Sequence, residues 1–257
     1  MQVKRSSARR ARIVAAGARA RGIIGTTHDA EGWHTAMNER PGSKDARFPL
    51  LLLAAFLVVA VALAIAPHYR QDWLLENLLV MLALPALVLG FRRLRFSDAS
   101  YAALFVFLVL HEIGAHYTYA EVPWDRWFAA LSGFSLHDAL GLSRNPFDRA
   151  IHFAYGLLLT PAVVELVAAR TVSPGAWRWI VPVSMVTASS ALFELFEWAA
   201  AVWFGGDLGV AYLGTQGDPW DAQQDMLLAL LGSVVTVVVL AVVSEHRRRR
   251  AAASANQ

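Results

Sequence analysis

The sequence predicts an all-α integral membrane protein with six transmembrane helices and both termini in the cytoplasm. Three observations lead there. The 257 residues are 56% apolar and only 17% charged, with a mean hydropathy of +0.42; soluble domains hold roughly 45–50% and about 25%. Six stretches approach or exceed the roughly 20 apolar residues needed to cross about 30 Å of hydrocarbon. Basic residues, finally, alternate between connecting segments in the way that fixes orientation. The same composition excludes global disorder. The absence of cysteine excludes a disulfide scaffold, a thiolate metal site and a cysteine nucleophile.

The chain opens with a basic tail, residues 1–47, which carries ten Lys and Arg from Lys4 to Arg47. It is expected to be poorly ordered and cytoplasmic, leaning on anionic lipid, although an Arg-rich, acid-poor start also resembles an organelle transit peptide. The six-helix domain occupies residues 48–243. Its first span, 48–66, has no charge. The second, 73–91, carries Glu76 near its start. The third, 99–119, turns polar in its second half at His111-Glu112-Ile113-Gly114-Ala115-His116. The fourth, 150–169, contains His152 and Glu165. The fifth, 177–204, contains Glu194 and Glu197, and the sixth, 226–243, is uncharged. A second basic tail, 244–257, holds Arg247 to Arg250.

Orientation follows from the basic residues. Besides the first tail, Arg92, Arg93 and Arg95, then Arg170 and Arg178, then Arg247 to Arg250 fall on one side, making 19 of 23. Only Arg70, Arg126, Arg144 and Arg149 fall on the other. Basic loops mark the cytoplasm, so both ends are expected there. Trp73, Trp124, Trp127, Trp203 and Trp220 at one boundary, with Trp177 and Trp179 at the other, read as interfacial belts.

Under this topology several spans bring ionisable residues to one depth near the outer interface. Glu112/His116, Asp148/His152 and Asp221/Asp225 are four residues apart and Glu194/Glu197 three, so each pair shares a helix face. Ionisable groups facing lipid are costly. The faces are therefore expected to turn into a shared, hydrated cavity. Imidazole and carboxylate together suit zinc, iron or manganese. A bound divalent metal generates hydroxide at neutral pH and leaves a spare carboxylate for proton transfer. Glu112, His116, His152 and Asp225 are the candidate metal ligands, and Glu194, Glu197 and Asp221 the candidate catalytic residues. Such pairs also occur simply to satisfy each other, without chemistry.

Other signals are weaker. His111-Glu112 begins like the zinc-protease pattern, but the second His comes at the wrong interval. No phosphate-binding Gly-rich loop, Walker pattern or Gly-x-Ser-x-Gly elbow is present. The Arg247 to Arg250 run beside a span reads as a topology anchor, so nucleic acid is not an expected partner.

Three strings carry a resemblance: His-Glu-Ile-Gly-Ala-His-Tyr-Thr-Tyr at 111–119, Asn-Pro-Phe-Asp-Arg-Ala-Ile-His-Phe at 145–153, and Leu-Gly-Thr-Gln-Gly-Asp-Pro-Trp-Asp-Ala-Gln-Gln-Asp-Met at 213–226. From about Phe48 to Val243 the chain resembles the YjdF-like bacterial inner-membrane proteins. That resemblance implies a multi-pass inner-membrane protein of unassigned biochemistry. Asp-Arg-x-x-His-Phe, a later span Glu and Asp-x-x-x-Asp opening the last helix are more loosely similar to VanZ-like membrane proteins.

The leading expectation is a metal-assisted hydrolase or transferase acting on a lipid-linked or envelope small-molecule substrate, with membrane lipids as surroundings. A cation- or proton-coupled binding or transport protein is the alternative, and a structural membrane protein without catalysis the third.

Overall fold

The computed structural model describes residues 46–171, 175–206, 209 and 213–255, so the basic tail expected at 1–47 lies almost wholly outside the described residues. Among these residues there are helices and no strands. Six helices are long and apolar enough to cross a membrane: α1 (Arg47–Ala64), α2 (Arg70–Leu94), α3 (Asp98–Tyr117), α6 (Phe147–Arg170), α7 (Trp177–Phe204) and α8, whose spanning portion is Asp221–Ser254. Two short helices, α4 (Trp124–Ser132) and α5 (Leu136–Leu140), lie between α3 and α6.

Local chemistry sets the boundaries. The hydroxyl of Ser97 accepts from the Ser100 N–H and starts α3. Thr118, with φ of 57°, ends it. Asn145 Oδ1 accepts from the Phe147 N–H at 3.0 Å as α6 begins, and Gly205, with φ of 62°, closes α7. The spans read from hydropathy agree to within a few residues, except the last. α8 begins at Asp221 and continues to Ala255, because the helix runs past the apolar stretch that hydropathy marks, into buried acids at its start and exposed arginines at its end.

The best-packed pair is α6 on α8. These two run parallel and approach closely because Gly156 and Gly232 present no side chain. A Cβ on Gly156 would lie 1.9 Å from the Ala229 carbonyl oxygen, and one on Gly232 2.2 Å from that of Phe153. Small residues let helix backbones meet inside a membrane, where lipid is as apolar as leucine and contact and hydrogen bonding drive association. Thr160 donates to Ser233 Oγ at 2.8 Å and Thr236 to the Leu157 carbonyl at 2.7 Å. α3 and α7 flank this pair, α1 leans on α3, and α2 packs mainly on α3.

Two polar contacts tie the ends. Glu165, near the end of α6, accepts from the Ser97 N–H at 2.7 Å, Ser97 Oγ at 2.6 Å and Ser100 Oγ at 2.9 Å. A carboxylate at the free N–H groups of a helix start is favourable, so Glu165 anchors α3. At the opposite end, His116 Nδ1 donates to the Leu63 carbonyl at 2.7 Å in the last turn of α1, one of the acceptors every helix end leaves open.

A candidate acid and histidine site

The start of α6, the start of α8 and the second half of α7 converge at one end of the bundle. Two loops hold them in register. Asn145 N–H donates to Gln216 Oε1 at 2.9 Å, and Gln216 Nε2 donates back to the Asn145 carbonyl at 3.1 Å. Asn145 Nδ2 also reaches the Val122 carbonyl at 2.9 Å. The strings 145–153 and 213–226 are thus two halves of one fastening.

Charged side chains complete it. Arg144 pairs with Asp221, and lies 3.8 Å from Asp148. Burial disfavours the Arg144 charge, but the carboxylates of Asp221 and Asp148 more than offset this and hold its pKa above the usual value. Arg149 donates to Asp218 Oδ2 at 2.5 Å and lies 3.6 Å from Asp221. Asp218 accepts from the Trp220 N–H at 2.9 Å and from Gln224 Nε2 at 2.8 Å. Those contacts, the backbone N–H foremost, keep its carboxyl below the ordinary range.

One layer deeper, one oxygen each of Asp148 and Asp225 and a ring nitrogen of His152 all lie within 4.8 Å of one another. His152 Nε2 is 3.7 Å from Asp148 Oδ1 and 3.6 Å from Glu194 Oε1 of α7. His152, Glu194 and Asp225 are buried. Asp225 Oδ1 and Glu194 Oε1 have no hydrogen-bond partner in the described structure. A buried carboxylate oxygen without a donor is costly, and a proton or a cation at either oxygen would offset that cost. Metal–oxygen and metal–nitrogen distances of about 2.0–2.2 Å in a tetrahedral site put ligand atoms roughly 3.3–3.6 Å apart, so the three side chains would have to close in on an ion.

The seven site residues expected from the sequence divide here. His152 and Asp225 meet, with Glu194 beside them. Glu197 lines the adjoining cavity. Asp221 is buried in the Arg144 ion pair. Glu112 faces Asn77 and Trp73 of α2, and His116 is turned to α1, so neither belongs to the 4.8 Å group. Helix-face spacing places a residue on a stripe but leaves open which neighbour the stripe meets. Asp148, which sequence spacing pairs with His152, joins the 4.8 Å group instead, and Arg144 and Arg149, topology markers in the sequence, are ion-pair partners here.

A second layer sits on α3. His111 is buried, and its Nδ1 is 2.5 Å from Tyr119 Oη. The Tyr119 ring lies over Gly114, where a Cβ would approach it to 2.5 Å. His111, Tyr119, Asp148, His152 and Glu197 border a cavity of about 720 Å³, within the roughly 300–1,000 Å³ of ligand pockets. The remaining walls, from α2, α3, α6 and α7, are mostly leucine, phenylalanine and alanine.

Known proteins place the chain among membrane proteins. Residues 48–246 match the family model described as Predicted membrane protein (DUF2238). The Inner membrane protein YjdF of Escherichia coli (strain K12) is 36% identical over 192 residues, covering 72% of this chain and 87% of that protein. No solved structure matches. With six spanning helices and a match over most of its length, the chain belongs to the DUF2238 family of multi-pass membrane proteins.

Proposed function

We propose that this inner-membrane protein is a metal-assisted hydrolase or transferase, with its site at the periplasmic face and both termini in the cytoplasm. The observation that carries the reading is the convergence of Asp148, His152 and Asp225 within 4.8 Å, beside buried carboxylate oxygens without donors and at the end of a large apolar cavity. The orientation rests on the distribution of basic residues.

Asp148, His152 and Asp225 would hold a divalent ion such as zinc, iron or manganese, three protein ligands with an open position being the usual catalytic arrangement. When bound, such an ion would supply Lewis acidity toward the substrate. Glu194, 3.6 Å from His152 Nε2, takes the proton as water adds to the ester centre and returns it to the departing alcohol when that bond breaks. A hydroxyl in place of water gives transfer by the same step. Arg144 and Arg149 keep the two helix starts together, and Arg144 lies 3.8 Å from Asp148 Oδ2.

Metal analysis of the protein purified without chelator tests the reading. About one divalent ion per chain is expected, lost in His152→Ala and Asp225→Ala and retained in His116→Ala, whose imidazole serves α1. Metal content near zero in the native protein, or equal content in all three variants, overturns it. A carrier role draws less support. Glu165, the acidic residue toward the other end of α6, is taken up by Ser97 and Ser100.

A further inference from the structure

We infer that the cavity is the berth of a single hydrocarbon chain, entered from the bilayer between α2 and α7, so that the substrate is a long-chain amphiphile whose head lies at Asp148 and His152. This rests on the reading of that site as catalytic and names the class of molecule it takes.

Tyr155, Ser189 and Ser190 add hydroxyls along α6 and α7, but the cavity's carboxylates and imidazoles gather at one end. Asp148, His152 and Glu197 lie there, while Leu79, Leu87 and Leu94 line its length along α2. At 1.5 Å per residue, Leu79 to Leu94 is about 22 Å, and Asp148 to Leu159 on α6 about 16 Å. Either exceeds half of the roughly 30 Å hydrocarbon thickness, so the space reaches as deep as a lipid chain in one leaflet. A small water-soluble substrate would leave most of such a wall wet, which apolar surface disfavours.

The entrance is lateral. Leu82 on α2 and Leu192 on α7 both border the cavity, yet remain 64% and 66% exposed. α2 packs mainly on α3 and makes little contact with α7. A gap between two spanning helices, walled by leucine, opens toward lipid chains rather than water.

The head end is acid-rich, so an anionic head requires the proposed cation beside it. Asp148, Glu194, Glu197 and Asp225 outnumber the nearby Arg144 and Arg149, which are themselves paired with Asp218 and Asp221. A phosphate or carboxylic-ester head would meet that end through the divalent ion proposed above, and burial of the chain against the apolar walls would supply affinity.

The test uses full-length protein in phosphatidylethanolamine–phosphatidylglycerol vesicles carrying a trace of hexadecyl phosphate with a mid-chain diazirine. After photolysis the labelled residues are mapped by mass spectrometry. Label is expected on Tyr155 and Leu159, which border the cavity from α6. It should fall at least fivefold in Ala83→Trp and Ala86→Trp. Ala86→Leu, a milder filling, should lower it two- to threefold in protein that still elutes as a single species. Label confined to lipid-facing positions such as Val58 and Val238, or unchanged by all three substitutions, overturns the inference. His152→Ala separates the two proposals. Lost metal with retained label means the chain berth stands without the metal site, and native metal without label on α6 means the reverse.

Discussion

α6 and α2 have similar lengths and both cross the bundle, but they are held in opposite ways. α6 buries seven residues along its length, from Ile151 to Val167, and its backbone nearly touches α8 at Gly156 and Gly232. α2 buries only Asp72, Glu76 and Asn77, all within its first turns, while Leu82 and Leu89 are 64% and 83% exposed. One helix is fixed by close packing throughout. The other is pinned by polar residues at the site end and presents its apolar length to the cavity and to lipid. The protein thus combines a rigid half, which sets the distances among Asp148, His152 and Asp225, with a loosely packed wall. Elements that admit ligands are drawn from weakly packed regions.

The largest effect should come from spoiling the close pair. In Gly156→Leu the new side chain meets a carbonyl oxygen that cannot move without moving α8. Destabilisation should exceed the 1–3 kcal/mol typical of overpacking, leaving little monodisperse protein in detergent by size-exclusion chromatography. Next is Arg144→Met. It leaves Asp221, only 4% exposed, without its principal partner, and breaking such a buried pair costs about 3 kcal/mol or more, read as a lowered thermal midpoint. Asp221→Leu combined with Arg144→Met should recover part of that loss, since the orphaned charge goes with its partner. On α2, Leu89→Ala should change stability by less than about 0.5 kcal/mol. A loss there as large as that of Arg144→Met would mean α2 is packed like α6, and the contrast would fail.

The same contrast explains what was legible in the amino-acid sequence. A long apolar run can only be a span, and i,i+3 or i,i+4 spacing puts two polar residues on one face, so the helices and the polar stripes could be read directly. Which stripes meet is a property of crossing angles. His116 and His152 look alike in sequence, yet one completes the end of α1 and the other faces Asp148 and Glu194. The α6–α8 contact did leave a trace. Gly156 and Thr160, like Ala229 and Ser233, are small residues four apart, the spacing that marks close helix pairs in membranes. The cavity left none, because leucines facing an internal void and leucines facing lipid are the same letters. α4 and α5 were hidden as well, short helices in what hydropathy reads as one loop, though Ser135 three residues before Asp138 is a capping pattern.

Those two short helices give the smallest expected effect and a third kind of attachment, through one carboxylate. Asp125 accepts from Ser135 Oγ at 2.7 Å and from the His137 N–H at 2.9 Å. These bonds, the one to the His137 N–H foremost, place its carboxyl below the ordinary value of 3.8. A carboxyl depressed by folding stabilises the fold in its ionised form. The contribution is therefore complete above about pH 3.8 and is lost as pH falls through the lower folded-state value. Release of the α4–α5 turn should then appear only in strongly acidic solution. The ring of Trp124 lies 6.5 Å from that of His137, so the ¹⁹F signal of fluorotryptophan at position 124, assigned by its absence in Trp124→Phe, reports the turn. It should show a step below about pH 4, whereas in Asp125→Asn it should already sit at a shifted position at pH 7 and show no acid step there. An acid step of equal size in Asp125→Asn would assign the fastening to the neighbouring His137–Asp138 contact, 3.8 Å apart, rather than to Asp125.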